Sequence, residues 1–324
     1  MKRTVFLRYL AGAILSLGST FALADNYPSK PIKAIVPFAP GSATDQIGRA
    51  FAAKMAESLG QPVVIENRPG ANGMIGADVV AKSPADGYTL LFGTNSTNAA
   101  LKSLVKNLPY NQDTAFTPIG YFGSVPLIVA INNDVPAKSL NGFVSIAKAN
   151  PGKLSFGSSG SGSSDHLATE IFWQQTGTSG IHVPYKGGGP AITDAVGGQL
   201  DALFANVNSV IQFIRVGKLR VLAVAGTKQS PVLPNVPTFA ELGYKDIVAY
   251  SWQAVVAPKG LPTDVKAKIY KAVIAGLNDP QNKKNFTELG YEIVANSPEQ
   301  FVQYQAQENQ RWQKLIESRN ITAN

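Results

Sequence analysis

Short β-branched and apolar runs alternate with helical stripes along most of this chain, and that alternation argues against a two-layer all-β fold. Pro31-Ile32-Lys33-Ala34-Ile35-Val36 reads as a strand. Ile47, Phe51, Met55 and Leu59 then recur on one helical face until Gly60, the residue type that most easily ends a helix. Further strand candidates follow at 63–65, 88–92, 119–122, 127–131, 153–156, 182–183, 202–205 and 220–225, with helix candidates between most of them. The expectation is an α/β fold of parallel sheets flanked by right-handed crossovers.

The C-terminal part carries longer periodic segments. Val265, Ile269, Val273 and Leu277 form one apolar stripe behind Pro262. Ser297-Pro298-Glu299-Gln300 combines a capping serine, a proline in the first helical position and a box glutamine, so a helix begins there. Phe301, Tyr304, Trp312, Leu315 and Ile316 supply its apolar face, which Gln305 and Glu308 interrupt. This helix is expected to pack across a domain surface.

The first residues have a different character. Lys2, Arg3 and Arg8 precede a mostly apolar run over 9–23, and Ala22-Leu23-Ala24 is an A-x-A cleavage signal. Residues 1–24 therefore read as a secretory leader; Gly12, Gly18, Ser19 and Thr20 weaken the alternative of a buried N-terminal helix. The leader takes 24 of the 324 residues and three basic side chains, leaving 300 residues and lowering the formal charge from +8 to +5. That length suffices for two domains with real cores.

Composition removes several chemistries. After residue 24 no stretch approaches the roughly 20 apolar residues that a membrane span requires, so a soluble mature protein is expected. The absence of cysteine excludes disulfides, thiolate catalysis and thiolate-bound zinc, and His166 and His182 are too few for a multi-histidine metal site. Neither a metal nor another cofactor is expected. A charge of +5 without a dense basic tract gives no argument for nucleic acid and is compatible with anionic ligands.

Three turns from strand to helix hold the informative residues. In Pro37-Phe38-Ala39-Pro40-Gly41-Ser42-Ala43-Thr44-Asp45, Gly41 permits close approach, while helix-start amides with the Ser42 and Thr44 hydroxyls can hold a carboxylate or phosphate. Alternatively, Thr44 or Asp45 only caps the helix. No nucleotide fingerprint is present. The second turn, Gly157-Ser158-Ser159-Gly160-Ser161-Gly162-Ser163-Ser164-Asp165-His166, can surround an anion with amides and hydroxyls, its position between strand and helix arguing against a linker. In the third, Pro184-Tyr185-Lys186-Gly187-Gly188-Gly189-Pro190, Tyr185 offers an aromatic wall or a hydroxyl and Lys186 a positive field, unless the segment is only a glycine turn with a solvated lysine. Thr94, Asn95 and Asn206 add polar groups at strand ends, where open α/β sheets expose their sites.

A secreted serine hydrolase is the competing reading, with a structural adhesion protein behind it. Gly160-Ser161-Gly162-Ser163-Ser164 fails the G-x-S-x-G pattern at its fifth position, and adjacent Asp165 and His166 do not by themselves make a triad. His182, beside Val183 in a strand, reads as structural. No catalytic residue is expected.

At these turns the chain resembles the Bug, or TctC-like, family of extracytoplasmic solute-binding proteins of tripartite tricarboxylate transport systems. The likeness runs through residues 37–45, Glu66-Asn67-Arg68-Pro69-Gly70-Ala71-Asn72-Gly73, residues 182–190, Leu233-Pro234-Asn235-Val236-Pro237-Thr238-Phe239-Ala240-Glu241, and 252–258, and so through essentially the whole mature chain. The resemblance implies a two-lobed Venus flytrap of type II-like periplasmic-binding-protein form, with hinged crossing segments near 125–131 and 251–257. The lobes implied are 25–131 plus 251–324, and 132–250. It further implies a monomeric periplasmic receptor that closes on a small organic carboxylate and presents it to a membrane permease. Phe38, Ala39, Gly41, Ser42, Thr44 and Asp45 would surround one end of the ligand, and Ser159, Ser163, Ser164, His166 and Tyr185 would close on the other. Two departures bear on the substrate: Ser42 stands where many relatives have glycine, and Ala205 stands where an acid is common, which weakens the case for an amino-acid ligand.

Overall fold

The computed structural model describes residues 27–322. The secretory leader expected over 1–24 lies outside the described residues. Signals that act locally have local effects. Gly60 ends the helix Ala43–Leu59 at φ 69°, its amide donating to the Ala56 carbonyl, and Ile47, Phe51 and Met55 face the core. Val265, Ile269, Val273 and Leu277 lie buried along the helix Thr263–Asn278. Ser297 and Gln300 exchange both bonds of the capping box at the start of Pro298–Arg319.

Among the described residues ten strands form: β1 (Ile32–Val36), β2 (Val63–Asn67), β3 (Thr89–Thr94), β4 (Phe116–Asn132), β5 (Ser155–Ser158), β6 (Ile181–Pro184), β7 (Ala202–Asn206), β8 (Leu219–Val224), β9 (Tyr250–Pro258) and β10 (Glu292–Ile293). Their order is β2-β1-β3-β9-β4-β7-β5-β6, with β8 and β10 also paired to β4. The two parallel blocks, β2-β1-β3 and β5 with β6 and β7, belong to separate lobes of an α/β fold.

The sheets are mixed, which corrects the expectation of parallel ones. β9 runs antiparallel to β3, and β4 antiparallel to β9, β7 and β8. The cause lies in the connections: β4 carries the chain out of one block and β9 brings it back, so the two must run in opposite senses. The segments at 119–122 and 127–131, expected as separate strands, are parts of one 17-residue β4. It pairs with β9 from Phe116 to Pro126 and with β7 and β8 from Leu127 onward. Pro118, Gly123 and Pro126 interrupt its apolar pattern, and its register against β9 slips between Pro118 and Gly120 and between Tyr121 and Gly123.

Apolar side chains cover both faces of the sheets, Ile35, Leu91, Phe156 and Trp252 on one side and Ile32, Phe92, Ile128 and Leu203 on the other. The C-terminal helix fastens to both lobes. Buried Glu308, one of the residues that broke its stripe, accepts through Oε2 from the indoles of Trp252 and Trp312 at 3.0 and 2.9 Å. Gln305 donates to the Asn98 carbonyl at 2.6 Å, and Arg319 donates to Glu170 of the helix Ser164–Thr176 at 2.7 Å.

Candidate ligand-binding cleft

β1 feeds the first turn. Ser42 is the cap of the helix Ala43–Leu59, its Oγ accepting from the Asp45 amide at 3.3 Å, so neither Thr44 nor Asp45 has that place. Buried Asp45 turns back: its Oδ2 accepts from the Gly41 amide at 2.8 Å and from Arg49 at 3.0 Å, and its Oδ1 from Asn67 at 2.8 Å. Burial alone would lift its carboxyl, but the bonds from Arg49, Gly41 and Asn67 outweigh that and hold it below the ordinary aspartate value. The carboxylate thus serves the shape of the turn. Asn67 also donates to the Phe38 carbonyl at 3.0 Å. Ser42 donates its amide to Ala39 and the Asp45 amide goes to Ser42, which leaves the helix-start amides of Ala43 and Thr44 without a partner in the described chain. Phe38 is half-buried, while Ala39 and Gly41 are exposed.

β3 ends beside β1, and Thr94 and Asn95 there are buried. The chain continues into a π-helical turn, Ser96–Ala100, where the Thr94 amide donates to Thr97 Oγ1 at 2.9 Å and Asn98 donates to the Thr94 carbonyl at 3.0 Å. Thr94 Oγ1, Asn95 Nδ2, Asn206 Oδ1 and Gln253 Oε1 are buried atoms with no partner among the described residues. Gln253 stands opposite Thr94 in the β3–β9 ladder, and Asn206 ends β7 opposite Leu127. Orphaned buried polar atoms are unfavourable unless a solute or water meets them.

The second lobe repeats the arrangement. Ser159 donates to Asp165 through its amide at 2.7 Å and its hydroxyl at 2.9 Å, so Asp165 is also taken up by its own turn. Ser163 caps the helix Ser164–Thr176 and donates its hydroxyl to Gly160 at 2.6 Å. The Gly162 amide donates to His166 Nδ1 at 2.8 Å. Ser163 donates its amide to Gly160 and the His166 amide is taken by Ser163 and Asp165, so the amides of Ser164 and Asp165 have no partner in the described chain. His166 stacks on His182, ring centroids 3.6 Å apart, and His182 Nε2 lies 2.6 Å from Ser158 Oγ. Burial, and next to it the His166 ring, push the His182 imidazole down to about 4. The Tyr185 hydroxyl is committed to Asp194 at 2.6 Å, a bond that pushes its pKa up to about 12; Lys186 is exposed.

The expected residues thus fall into two groups at the C-terminal ends of strands. Phe38, Ala39, Gly41, Ser42, Thr44, Asp45, Thr94 and Asn95 stand on one lobe, and Ser159, Ser163, Ser164, His166, Tyr185 and Asn206 on the other. The lobes meet where Ser164 Oγ donates to Asn95 Oδ1 at 3.2 Å and where Asn72 Nδ2 donates to the Ser161 carbonyl. Sequence reasoning gave Asn72 no role. Its left-handed φ of 52° lies in the region that asparagine tolerates better than most side chains, and its position among glycines was the available signal. The Ser–His contact that does form, Ser158 with His182, is not a triad, because the neighbouring acid, Glu170, meets His166 instead.

Comparisons with known proteins point one way. Residues 47–321 match the family model described as the tripartite tricarboxylate transporter family receptor. Protein BugT of Bordetella pertussis is 40% identical over 294 residues, covering 90% of each chain. The structure of periplasmic binding protein BugD superposes with a TM-score of 0.84 at 34% identity, over 92% of this chain and 100% of that one. That of R. palustris Rpa4515 with adipate gives 0.87 at 34% identity, over 92% and 99%.

Proposed function

The chain belongs to the tripartite tricarboxylate transporter receptor family, whose members are solute-binding receptors and not enzymes, and from that premise we propose that it captures a small organic carboxylate by closing its two lobes and delivers it to a membrane permease. One observation carries the reading. Each lobe presents a helix start with two uncommitted amides, Ala43 with Thr44 and Ser164 with Asp165, and Ser164 also donates to Asn95 of the other lobe. Helix-start amides hold an anion through backbone donors and the helix dipole, without a buried arginine. The relative solved with adipate supports a carboxylate as the solute.

In this reading Phe38, Ala39, Gly41, Ser42, Thr44 and Asp45 form one wall, and Ser159, Ser163, Ser164, His166 and Tyr185 the other. Thr94, Asn95 and Asn206 line the floor, and their orphaned atoms supply neutral hydrogen bonds. The lobes are read as 25–131 plus 251–324, and 132–250, with the crossing inside the first span: β4 leaves β9 at Pro126, and residues 127–131 pair with β7 and β8 of the second lobe. The protein works as a periplasmic monomer after removal of residues 1–24. Asp45 and Asp165 are both occupied and position 205 is alanine, which favours carboxylates lacking an ammonium.

Calorimetric titration with succinate, malate, adipate, citrate, glutamate, nicotinate, benzoate and terephthalate tests the proposal. Saturable binding of one of these without chemical change is the expected result. Failure of every carboxylate, with saturable binding of a neutral sugar, overturns it.

A further inference from the structure

Gly41 and Gly162 share one backbone angle, φ 80°, and each precedes a capping serine. The caps agree too: Ser42 has φ −64° and ψ 160°, Ser163 φ −68° and ψ 164°. In both turns the third residue after the cap reaches back to the glycine amide at 2.8 Å, Asp45 through Oδ2 and His166 through Nδ1. In both, the cap amide is tied to the carbonyl three residues earlier, Ala39 or Gly160. One device has been built twice, and each time it fixes the loop so that the first two helical amides stay available. The two versions differ in their acceptor, a carboxylate in one lobe and an imidazole in the other.

We propose that His166 is the positioning residue of the second lobe's anion-binding turn, doing for Gly162 what Asp45 does for Gly41. The assignment rests on the carboxylate-receptor reading. An imidazole accepts a hydrogen bond only through a bare nitrogen, and the Gly162 amide donates to Nδ1 at 2.8 Å.

The surroundings hold the required tautomer. His166 Nε2 lies 3.6 Å from Glu170 Oε1, which draws the ring proton to that side and leaves Nδ1 bare. Glu170 is itself held by Arg319 of the C-terminal helix at 2.7 Å. Burial would lift the Glu170 carboxyl, but His166 and Arg319 outweigh it and keep it below its ordinary value, so the proton acceptor persists. From β6, His182 stacks on the ring, and the Asp165 carboxylate accepts from Ser159 and from the His166 amide.

Two variants separate positioning from packing. His166→Asn keeps an acceptor oxygen near the place of Nδ1; His166→Leu keeps bulk and removes the acceptor. Adipate and malate affinities by calorimetry give one readout. Exchange of the Gly162 amide by NMR without ligand gives another. At pH 8 we expect His166→Leu to bind about ten-fold more weakly than His166→Asn. Gly162 exchange should accelerate in His166→Leu and stay closer to the wild type in His166→Asn. Unchanged Gly162 exchange in His166→Leu overturns the assignment, as does equal ligand affinity in His166→Leu and His166→Asn. If no carboxylate binds while the exchange pattern holds, the positioning role stands and the receptor reading falls.

Discussion

Ser164 Oγ donates to Asn95 Oδ1 at 3.2 Å, which ties the first helical residue of one lobe to the residue that follows β3 in the other. Asn95 is fully buried, and its Nδ2 meets no group of the described chain. One side chain therefore takes a bond from the opposite lobe and keeps a free donor, the one the proposed binding mode offers to the solute.

Ser164→Ala removes this bond and leaves the cap at Ser163 intact. We expect the affinity for the preferred carboxylate to fall about five-fold, the worth of one net hydrogen bond of about 1 kcal/mol, with little change in melting temperature. Calorimetry beside a thermal melt checks it, and equal affinity in the folded variant would place the contact outside the binding equilibrium.

Gly41→Ala and Gly162→Ala should differ although both glycines have φ 80°. Each alanine pays about 1 kcal/mol for a left-handed backbone. At Gly41 an added Cβ meets nothing within 4 Å, whereas at Gly162 it would clash with Leu104 Cδ1, on the helix that follows the β3 turn. Gly162→Ala should therefore weaken ligand binding more than Gly41→Ala, and adding Leu104→Ala should recover part of the loss. Comparable affinities in both glycine variants would contradict this.

Glu308→Ala strands two buried indole donors, Trp252 Nε1 and Trp312 Nε1. Unpaired buried donors cost roughly 1–3 kcal/mol each, so we expect a loss of about 3 kcal/mol in urea unfolding. Glu308→Gln keeps an acceptor oxygen and should lose less than half of that. A Glu308→Ala variant within about 0.5 kcal/mol of the wild type would remove the indole pair from the account of stability.

The His182 imidazole is held at about 4 against an ordinary 6.5, first by burial and then by His166. Between those values the unfolded chain binds more protons than the folded one, so this contribution to stability is complete above about 6.5 and is lost as the pH falls toward about 4. Urea midpoints measured across the window should decline toward acid in the wild type and decline less in His182→Gln. Parallel declines would assign the effect to other groups. Asp45 and Glu170, both held below their ordinary values, act lower, in the carboxylate range.

What the sequence revealed and what it concealed divide along physical lines. Gly60, the stripe from Val265 to Leu277 and the box at Ser297 were legible because each acts within one or two helical turns. The sense of β4 and β9 was not, because strand direction is set by which block the chain leaves and which it rejoins, and Pro118, Gly123 and Pro126 cut the β4 pattern into pieces. At the cleft, glycines and serines marked the turns. The inward commitment of Asp45, Asp165 and the Tyr185 hydroxyl was hidden, since each partner is fixed by the folded loop or the helix that follows it.

β4 is a member of both sheets, so part of the covalent passage between the lobes is itself hydrogen-bonded strand. A slack tether would have to give up many backbone conformations whenever the lobes drew together, at roughly 1–2 kcal/mol per residue ordered. Here most of that entropy is surrendered once, during folding, and little of it would be left to oppose the closure proposed above.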